Sequence, residues 1–132
     1  MGVTYLLDTH VFVWLLTQPK RLPAAALETL SDPSVPLLVS AASAMEVSTK
    51  VRLGKFDQAS ALVDAWVTHV SAVGAVGVPI TPQHALLAGR LAWNQRDPFD
   101  RLLAATALLD NHTLVTADAA LLGLPGLRVL RV

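Results

Sequence analysis

Acidic residues beside apolar runs are the feature of this sequence that first points to chemistry. Asp8 follows the run YLL, Glu46 lies within AMEV, Asp100 precedes RLLAA, and Asp118 follows LVTA. Carboxylates in such surroundings are poorly solvated, and several together repel one another and tend to protonate unless a cation compensates their charge. Oxygen ligands of this kind suit Mg²⁺ or Mn²⁺. The pattern therefore predicts a divalent-metal site built from these four residues.

A divalent cation held by carboxylates is suited to the hydrolysis of phosphodiesters. Such an ion can neutralise the scissile phosphate, lower the pKa of a water and orient in-line attack. The chain has no cysteine, and its histidines are not spaced as a metal-binding pair: His10, His69, His84 and His112. Disulfides, thiolate zinc sites and cysteine nucleophiles are therefore excluded, and no glycine-rich loop supports nucleoside-triphosphate chemistry.

Each acidic residue also has an ordinary structural explanation. Asp8 and Asp118 stand where helix N-caps occur, and Glu46 near a helix start would complement the helix dipole. Asp97 and Asp100 flank a proline, as an N-cap and a first-turn acid do. Capping and metal ligation are compatible, so both interpretations stay open at this point.

Short apolar runs alternate with helical patterns along the chain. Strands are predicted at 3–7, 36–39, 78–80, 113–116 and 127–130, and helices at 11–16, 23–30, 44–53, 58–73, 82–93 and 98–109. Because parallel neighbours need crossover helices, this alternation predicts one three-layer α/β/α domain over residues 1–132 with a short, mostly parallel central sheet. Ligands of such sheets bind beyond the carboxyl ends of the strands, where Asp8 and Asp118 fall.

Two local signals refine these elements. Ser40 and Ser43 are both candidate caps for the helix that is predicted to begin near Ala44, which puts Glu46 in its first turn. The segment 74–77, with a glycine at each end, is predicted to terminate the helix before it.

The composition, 53% hydrophobic and 15% charged, excludes the signature of a disordered chain and predicts a buried association surface. Ten basic residues balance ten acidic ones, so RNA binding would need a local patch. The candidates for that patch are Lys50, Arg52, Lys55 and Arg96, although a solvated helix face is the ordinary explanation of such residues. No apolar run approaches the ~20 residues that span a bilayer. Without a signal sequence, a cytoplasmic protein with no membrane contact is expected.

Aromatic residues and His10 are predicted to have packing roles. Trp14, Trp66 and Trp93 lie in apolar helical patterns, which favours core or interface packing over base stacking. His10, in the first helix, is interpreted as a packing or capping residue rather than a metal ligand.

Four motifs occur in a fixed order along the chain: LLDTH at 6–10, SAMEV at 43–47 followed by KVRLGK at 50–55, DPFDR at 97–101, and TAD at 116–118. Together they resemble the PIN-domain family, and most closely its VapC-type toxins of bacterial toxin–antitoxin pairs. This resemblance implies a PIN-like fold and a Mg²⁺- or Mn²⁺-dependent endoribonuclease with an RNA substrate. It also implies a homodimer, and a cognate VapB-like antitoxin that covers an apolar groove and reaches the acidic site with a basic residue.

The resemblance assigns roles residue by residue. The family's catalytic and metal-binding acids fall on Asp8, Glu46, Asp100 and Asp118, and Asp97 matches an additional metal-binding acid.

Three further residues are expected to contact substrate beside these acids. Thr9 and Thr116 match the family's hydroxyl positions, and Arg101 could either pair with a carboxylate or bind phosphate. The chain departs from the pattern at Asn94, where many relatives have histidine. Asn94 is therefore interpreted as a helix-end residue, and the role of that imidazole is not assigned.

Two other functions compete with the ribonuclease hypothesis. An α/β phosphotransfer enzyme could use Asp8 as a nucleophile, but the sequence lacks the second aspartate two residues later that haloacid-dehalogenase-like phosphatases carry. A catalytically silent PIN-like module that only docks a partner is the third hypothesis, and the intact set of acids argues against it.

Overall fold

Strands and helices alternate along residues 2–56 and 59–132, the part of the chain that the computed structural model describes. The strands are β1 (Tyr5–Leu7), β2 (Leu37–Ser40), β3 (Ala75–Val78), β4 (Thr113–Thr116) and β5 (Val129–Arg131). The helices are α1 (Thr9–Thr17), α2 (Ala24–Ser31), α3 (Ala41–Arg52), α4 (Ser60–Asp64), α5 (Trp66–Ala72), α6 (Pro82–Arg90) and α7 (Pro98–Asp110). Short 3-10 turns cover Pro19–Arg21 and Ala119–Leu121.

The five strands form one parallel sheet in the order β3-β2-β1-β4-β5. The central strand β1 aligns Tyr5 with Leu37 on one side and with Thr113 on the other. Because all strands run in the same direction, their carboxyl ends meet at one edge. Asp8 follows β1 at that edge, and its backbone N–H donates to the Val115 carbonyl at 2.9 Å.

Successive residues of β1 pack on opposite faces of the sheet. Leu7 belongs to a core cluster with Phe12 and Val47, whereas Leu6 packs with Leu103 and Leu121. The first cluster holds α1, α2, α3, α4 and α5 against one face of the sheet, and the second holds α7 against the other. The predicted three-layer α/β/α architecture with a parallel central sheet is confirmed.

The helix that carries Glu46 begins earlier than predicted. Ser40 is its N-cap, because the Ser40 Oγ accepts a hydrogen bond from the Ala42 N–H at 3.0 Å. Of the two candidate caps, Ser40 is therefore correct and Ser43 is wrong. Since α3 starts at Ala41, Glu46 lies in its second turn rather than in its first.

The region between α3 and α6 differs most from the prediction. The continuous helix expected over 58–73 is divided into α4 and α5 at Ala65, whose φ of −136° and ψ of 44° are not helical; Gln58 lies outside the described residues. Gly74 ends α5 in the left-handed region with φ 76°. Gly77 belongs to β3, so the strand predicted at 78–80 lies earlier, at Ala75–Val78.

Two further boundaries move, with consequences for the site. Helix α6 ends at Arg90 rather than near residue 93, because Leu91 turns to an extended conformation (ψ 124°). Asn94 is therefore not a helix-end residue; it lies in the segment 91–97 that connects α6 to α7. Strand β5 covers Val129–Arg131 rather than 127–130. Within the described ranges, none of the helices has the length and apolar character to cross a membrane.

Candidate active site

All the acids singled out from the sequence line one open cleft at the carboxyl edge of the sheet. This acidic cleft is lined by Asp8, Glu46, Asp97, Asp100 and Asp118, with His10, Trp14, Lys50 and Ala117 completing its wall. The acids come from four separate parts of the chain. Strand ends and helix starts bring them together, as the parallel topology predicts.

Asp8 is held by a threonine from the neighbouring strand. The Thr116 hydroxyl at the end of β4 donates to Asp8 Oδ2 at 2.7 Å. Asp8 occupies the N-cap position of α1, yet its side chain makes no capping hydrogen bond, so the capping interpretation of this carboxylate is wrong. Burial raises the pKa of Asp8 above its usual value, while the hydrogen bond from Thr116 opposes that rise.

Glu46 is buried and supported from two sides. The Thr9 Oγ1 lies 2.7 Å from Glu46 Oε1 and 2.8 Å from the Ser43 Oγ. Because an ionised carboxylate only accepts, Thr9 donates to Glu46 and Ser43 donates to Thr9. On the open side, Lys50 Nζ donates to Glu46 Oε2 at 2.8 Å. Lys50, one of the predicted basic patch residues, therefore faces the cleft, whereas Arg52 and Lys55 are exposed and do not line it.

Asp97 and Asp100 enter the cleft from the start of α7. Asp97 caps this helix, since its Oδ1 accepts from the N–H groups of Phe99 and Asp100 at 2.9 and 3.4 Å. The Asp100 side chain is buried in the first turn, where four other carboxylates face it. Burial, followed by the charges of Asp97, Asp8, Asp118 and Glu46, raises the pKa of Asp100 to about 7.

Asp118 completes the set from the segment that follows β4. Its Oδ1 accepts from the Ala120 N–H at 2.9 Å and caps the 3-10 turn Ala119–Leu121, while its own N–H donates to the Thr116 hydroxyl at 3.0 Å. The capping interpretations of Asp97 and Asp118 are confirmed. In each, the second carboxylate oxygen has no hydrogen-bond partner among the described residues, so capping leaves one oxygen for a ligand.

The acidic cleft has the ligand atoms that a hard divalent cation prefers, but their present positions do not form a complete metal-binding group. Within residues 2–56 and 59–132, no three acidic or histidine side chains already form a ready-made metal-binding group. Lys50 occupies Glu46 Oε2, and Thr116 occupies Asp8 Oδ2. The donor set nevertheless fits such an ion, because it consists of carboxylate oxygens. Burial, followed by repulsion from the other carboxylates, raises the pKa of Asp100, and a cation would relieve that repulsion.

The acidic cleft is not lined by the three residues expected to contact substrate, Thr9, Thr116 and Arg101. Thr9 and Thr116 are fully buried, so their hydroxyls hold Glu46 and Asp8 from behind rather than facing a ligand. Arg101 neither pairs with a carboxylate nor points into the cleft. Among residues 2–56 and 59–132, its guanidinium donates only to backbone carbonyls, those of Ala88, Leu91, Trp93 and Gln95.

Two aromatic residues of the cleft wall were not predicted as site residues. His10 is exposed and Trp14 is half-buried, and both line the cleft from α1. Trp14 also packs against the core and lies under the Arg21 guanidinium, 4.5 Å from the ring centroid. Their spacing of four residues was the available signal, because it puts both on the face of α1 that begins beside Asp8. Trp66 and Trp93 pack against the core as predicted, with Trp66 edge-on to Phe12 at 5.2 Å.

Comparison with known proteins identifies the family of this chain and agrees with its fold. The chain belongs to the PIN-domain family, whose family model, PIN domain, matches residues 5–126. It is 34% identical over 123 residues to Ribonuclease VapC22 of Mycobacterium tuberculosis, with 89% of each chain covered. Among solved structures it is similar to VapBC2 from Rickettsia felis bound to a promoter DNA fragment (TM-score 0.71, 19% identity, 98% of each chain). DNA-bound VapBC from Salmonella typhimurium is also similar (TM-score 0.70, 16% identity, 98% of each chain).

Proposed function

We propose that this protein is a VapC-type, divalent-metal-dependent endoribonuclease that cleaves RNA phosphodiester bonds. The observation that carries the proposal is the convergence of five carboxylates on one cleft, with the pKa of Asp100 raised to about 7. Repulsion among these carboxylates is unfavourable unless a cation binds between them. Divalent-metal dependence is also typical of the family. The relative Ribonuclease VapC22 supports RNA as the substrate.

In this proposal Asp8, Glu46, Asp100 and Asp118 are the catalytic and metal-binding acids, and Asp97 is a supporting metal ligand. Mg²⁺, or Mn²⁺ in its place, when bound supplies positive charge against the scissile phosphate and lowers the pKa of a water. The chain's own groups prepare the site for it.

Several side chains hold the acids for that purpose. Thr116 and Thr9 keep Asp8 and Glu46 in fixed orientations through hydrogen bonds of 2.7 Å. Lys50 stands at the mouth of the cleft, where its ammonium group can contact a phosphate of the RNA backbone.

A cognate VapB-like antitoxin and a homodimer complete the proposed assembly. The similarity to VapBC structures, and to FitAcB from Neisseria gonorrhoeae (TM-score 0.65, 18% identity, 97% of each chain), supports a partner of this kind. Charge complementarity favours a basic antitoxin side chain at the acidic cleft. Co-purification with a small neighbour-encoded protein would support this partner, whereas expression alone without growth arrest would count against it.

The decisive experiment uses Asp8→Asn, which keeps the size of the side chain and removes its charge. Purified protein freed of antitoxin should cut a structured RNA with Mg²⁺ or Mn²⁺, lose that activity with a chelator, and lose it in the variant. Asp64→Asn is the matched control, because Asp64 is exposed at the end of α4 and does not line the cleft. Wild-type activity in Asp8→Asn would contradict the proposal.

Two measurements separate this function from its alternatives. Trapping of a phosphoryl group on Asp8 would favour the aspartate-nucleophile phosphotransfer enzyme. Failure of the wild-type protein to bind Mn²⁺ in isothermal titration would favour a silent binding module.

A further inference from the structure

Arg101, which follows the cleft residue Asp100 in sequence, donates hydrogen bonds to four backbone carbonyls. Its Nε donates to the Ala88 carbonyl and its Nη2 to the Leu91 carbonyl, both at 2.8 Å. Its Nη1 donates to the carbonyls of Trp93 and Gln95 at 2.9 and 2.8 Å. We name this arrangement, formed by the Arg101 guanidinium and these four carbonyls, the carbonyl clamp. It ties α7 to the end of α6 and to the segment 91–97.

The Arg101 guanidinium binds backbone carbonyls rather than a carboxylate. Ala88 and Leu91 lie at the carboxyl end of α6, where carbonyls have no partner within the helix and carry its partial negative charge. Although Asp100 is its neighbour in sequence, Arg101 forms no ion pair among the described residues. The planar guanidinium spans several carbonyls at once, which a single ammonium group does not.

From the carbonyl clamp, hydrogen bonds lead to the acids in two steps. Gln95, whose carbonyl the clamp holds, accepts from the N–H groups of Arg96 and Asp97 through its side-chain Oε1, at 3.0 and 3.2 Å. Asp97 then accepts from the N–H of Asp100 through its Oδ1. The position of the connecting segment therefore determines where Asp97 caps α7 and how Asp97 and Asp100 face each other.

We propose that Arg101 is a positioning residue for the divalent-metal site, acting through the carbonyl clamp on Asp97 and Asp100. The inference rests on the proposed function and extends it to a residue that contacts neither metal nor RNA. Groups that orient metal ligands change metal affinity by about 10- to 100-fold when removed. The clamp has to hold Asp97 and Asp100 together against the repulsion between their carboxylates. Without it, a loose connecting segment would let the two carboxylates move apart.

The test compares Arg101→Lys with Arg90→Lys in the full-length protein. Lysine keeps the charge of Arg101 but loses the fork of donors, and Arg90 is exposed at the end of α6 outside the clamp. Isothermal titration should give a Mn²⁺ dissociation constant about tenfold higher in Arg101→Lys and unchanged in Arg90→Lys. RNA cleavage should lose kcat while KM for RNA stays the same, because Arg101 does not touch RNA. A folded Arg101→Lys with wild-type Mn²⁺ affinity and kcat would overturn the inference, even if it melted at a lower temperature.

Gln95→Ala provides the second arm, and it decides the question if Arg101→Lys fails to fold. This variant keeps the Gln95 carbonyl in the clamp and removes the side-chain oxygen that accepts from the Arg96 and Asp97 N–H groups. Weaker Mn²⁺ binding by Gln95→Ala supports the inference, and unchanged binding contradicts it. A wild-type protein that binds no Mn²⁺ contradicts the proposed function itself, whereas equal Mn²⁺ binding by the wild type and both variants contradicts only the role of Arg101.

Discussion

Thr116 donates its hydroxyl hydrogen to Asp8 Oδ2 over 2.7 Å, which joins residues 108 positions apart in the sequence. The pairing of Leu7 with Val115 in the sheet brings them together, because Asp8 and Thr116 directly follow this pair. Both side chains are buried, so water contributes little to the solvation of Asp8. The hydroxyl of Thr116 is consequently a main source of stabilisation for the Asp8 carboxylate.

Thr116→Val should raise the pKa of Asp8 further, because burial then acts without the opposing hydrogen bond. Carboxyl NMR titration with EDTA present measures this change in the metal-free protein. RNA cleavage should fall about tenfold and lose most at low pH. Thr29→Val is the control, since the Thr29 hydroxyl donates only to the Ala25 carbonyl of its own helix. An unchanged Asp8 pKa in Thr116→Val would show that this hydrogen bond does not set the ionisation.

The raised pKa of Asp100 predicts how stability depends on pH without metal. Between its ordinary pKa of 3.8 and about 7, the folded protein binds more protons at Asp100 than the unfolded chain does. The free energy of unfolding must therefore fall as pH rises through this range, and the raised pKa of Asp8 acts in the same direction. We expect a loss of about 1–2 kcal/mol between about pH 5 and pH 8, after allowance for solvent screening.

Urea unfolding in EDTA measures this loss, and two comparisons identify its source. Asp100→Asn should be more stable than the wild type at the higher pH and should show a smaller dependence on pH. At the higher pH, Mn²⁺ should raise the free energy of unfolding of the wild type more than that of the variant, which lacks the Asp100 carboxylate. A wild-type stability that is independent of pH over this range would rule out unfavourable ionisation at Asp100.

The positions of the acids other than Glu46 could be predicted from the sequence, because their neighbours identify strand ends and helix starts. Asp8 after an apolar run and Asp97 before a proline each carry a local signal. The division of α4 from α5 at Ala65 could not be predicted, since an apolar pattern continues across it while tertiary packing determines the break.

The groups that support the acids were harder to predict for a related reason. The bond between Thr9 and Glu46 spans 37 residues, and it depends on how α1 and α3 pack. Arg101 was expected to bind a carboxylate or a phosphate, because both are its common partners. Its actual acceptors are backbone carbonyls, which every residue has, so no sequence pattern distinguishes them.

His84 should stabilise the fold without affecting the cleft. Its Nδ1 accepts from the Thr81 N–H at 3.0 Å in a capping box at the start of α6, so its Nε2 carries the hydrogen donated to Asp110 at 2.7 Å. His84→Ala should cost about 1–3 kcal/mol in urea unfolding. Asp110 lies about 15 Å along α7 from Asp100, so Mn²⁺ affinity should not change. A large loss of Mn²⁺ affinity in His84→Ala would contradict this separation of roles.

Lys50 should weaken the binding of metal and strengthen the binding of RNA. The Lys50 ammonium group donates to Glu46 Oε2 at 2.8 Å, where it would compete with a cation for the same oxygen. Lys50→Met should therefore bind Mn²⁺ severalfold more tightly in isothermal titration without RNA. The variant should also bind RNA more weakly, because a phosphate contact at the mouth of the cleft is lost. Its salt dependence, the slope of log K against log salt concentration, should be smaller by about 0.7 for single-stranded RNA.

The control for Lys50 is Arg52→Met, two residues further along α3, with a side chain that is exposed and outside the cleft. Fluorescence anisotropy of labelled RNA in EDTA, at several salt concentrations, separates binding from cleavage. The Arg52 variant should keep the Mn²⁺ affinity of the wild type, because its charge does not reach Glu46. If Lys50→Met instead weakened Mn²⁺ binding, the lysine would be holding Glu46 in place for the metal, and its competition with the cation would be disproved.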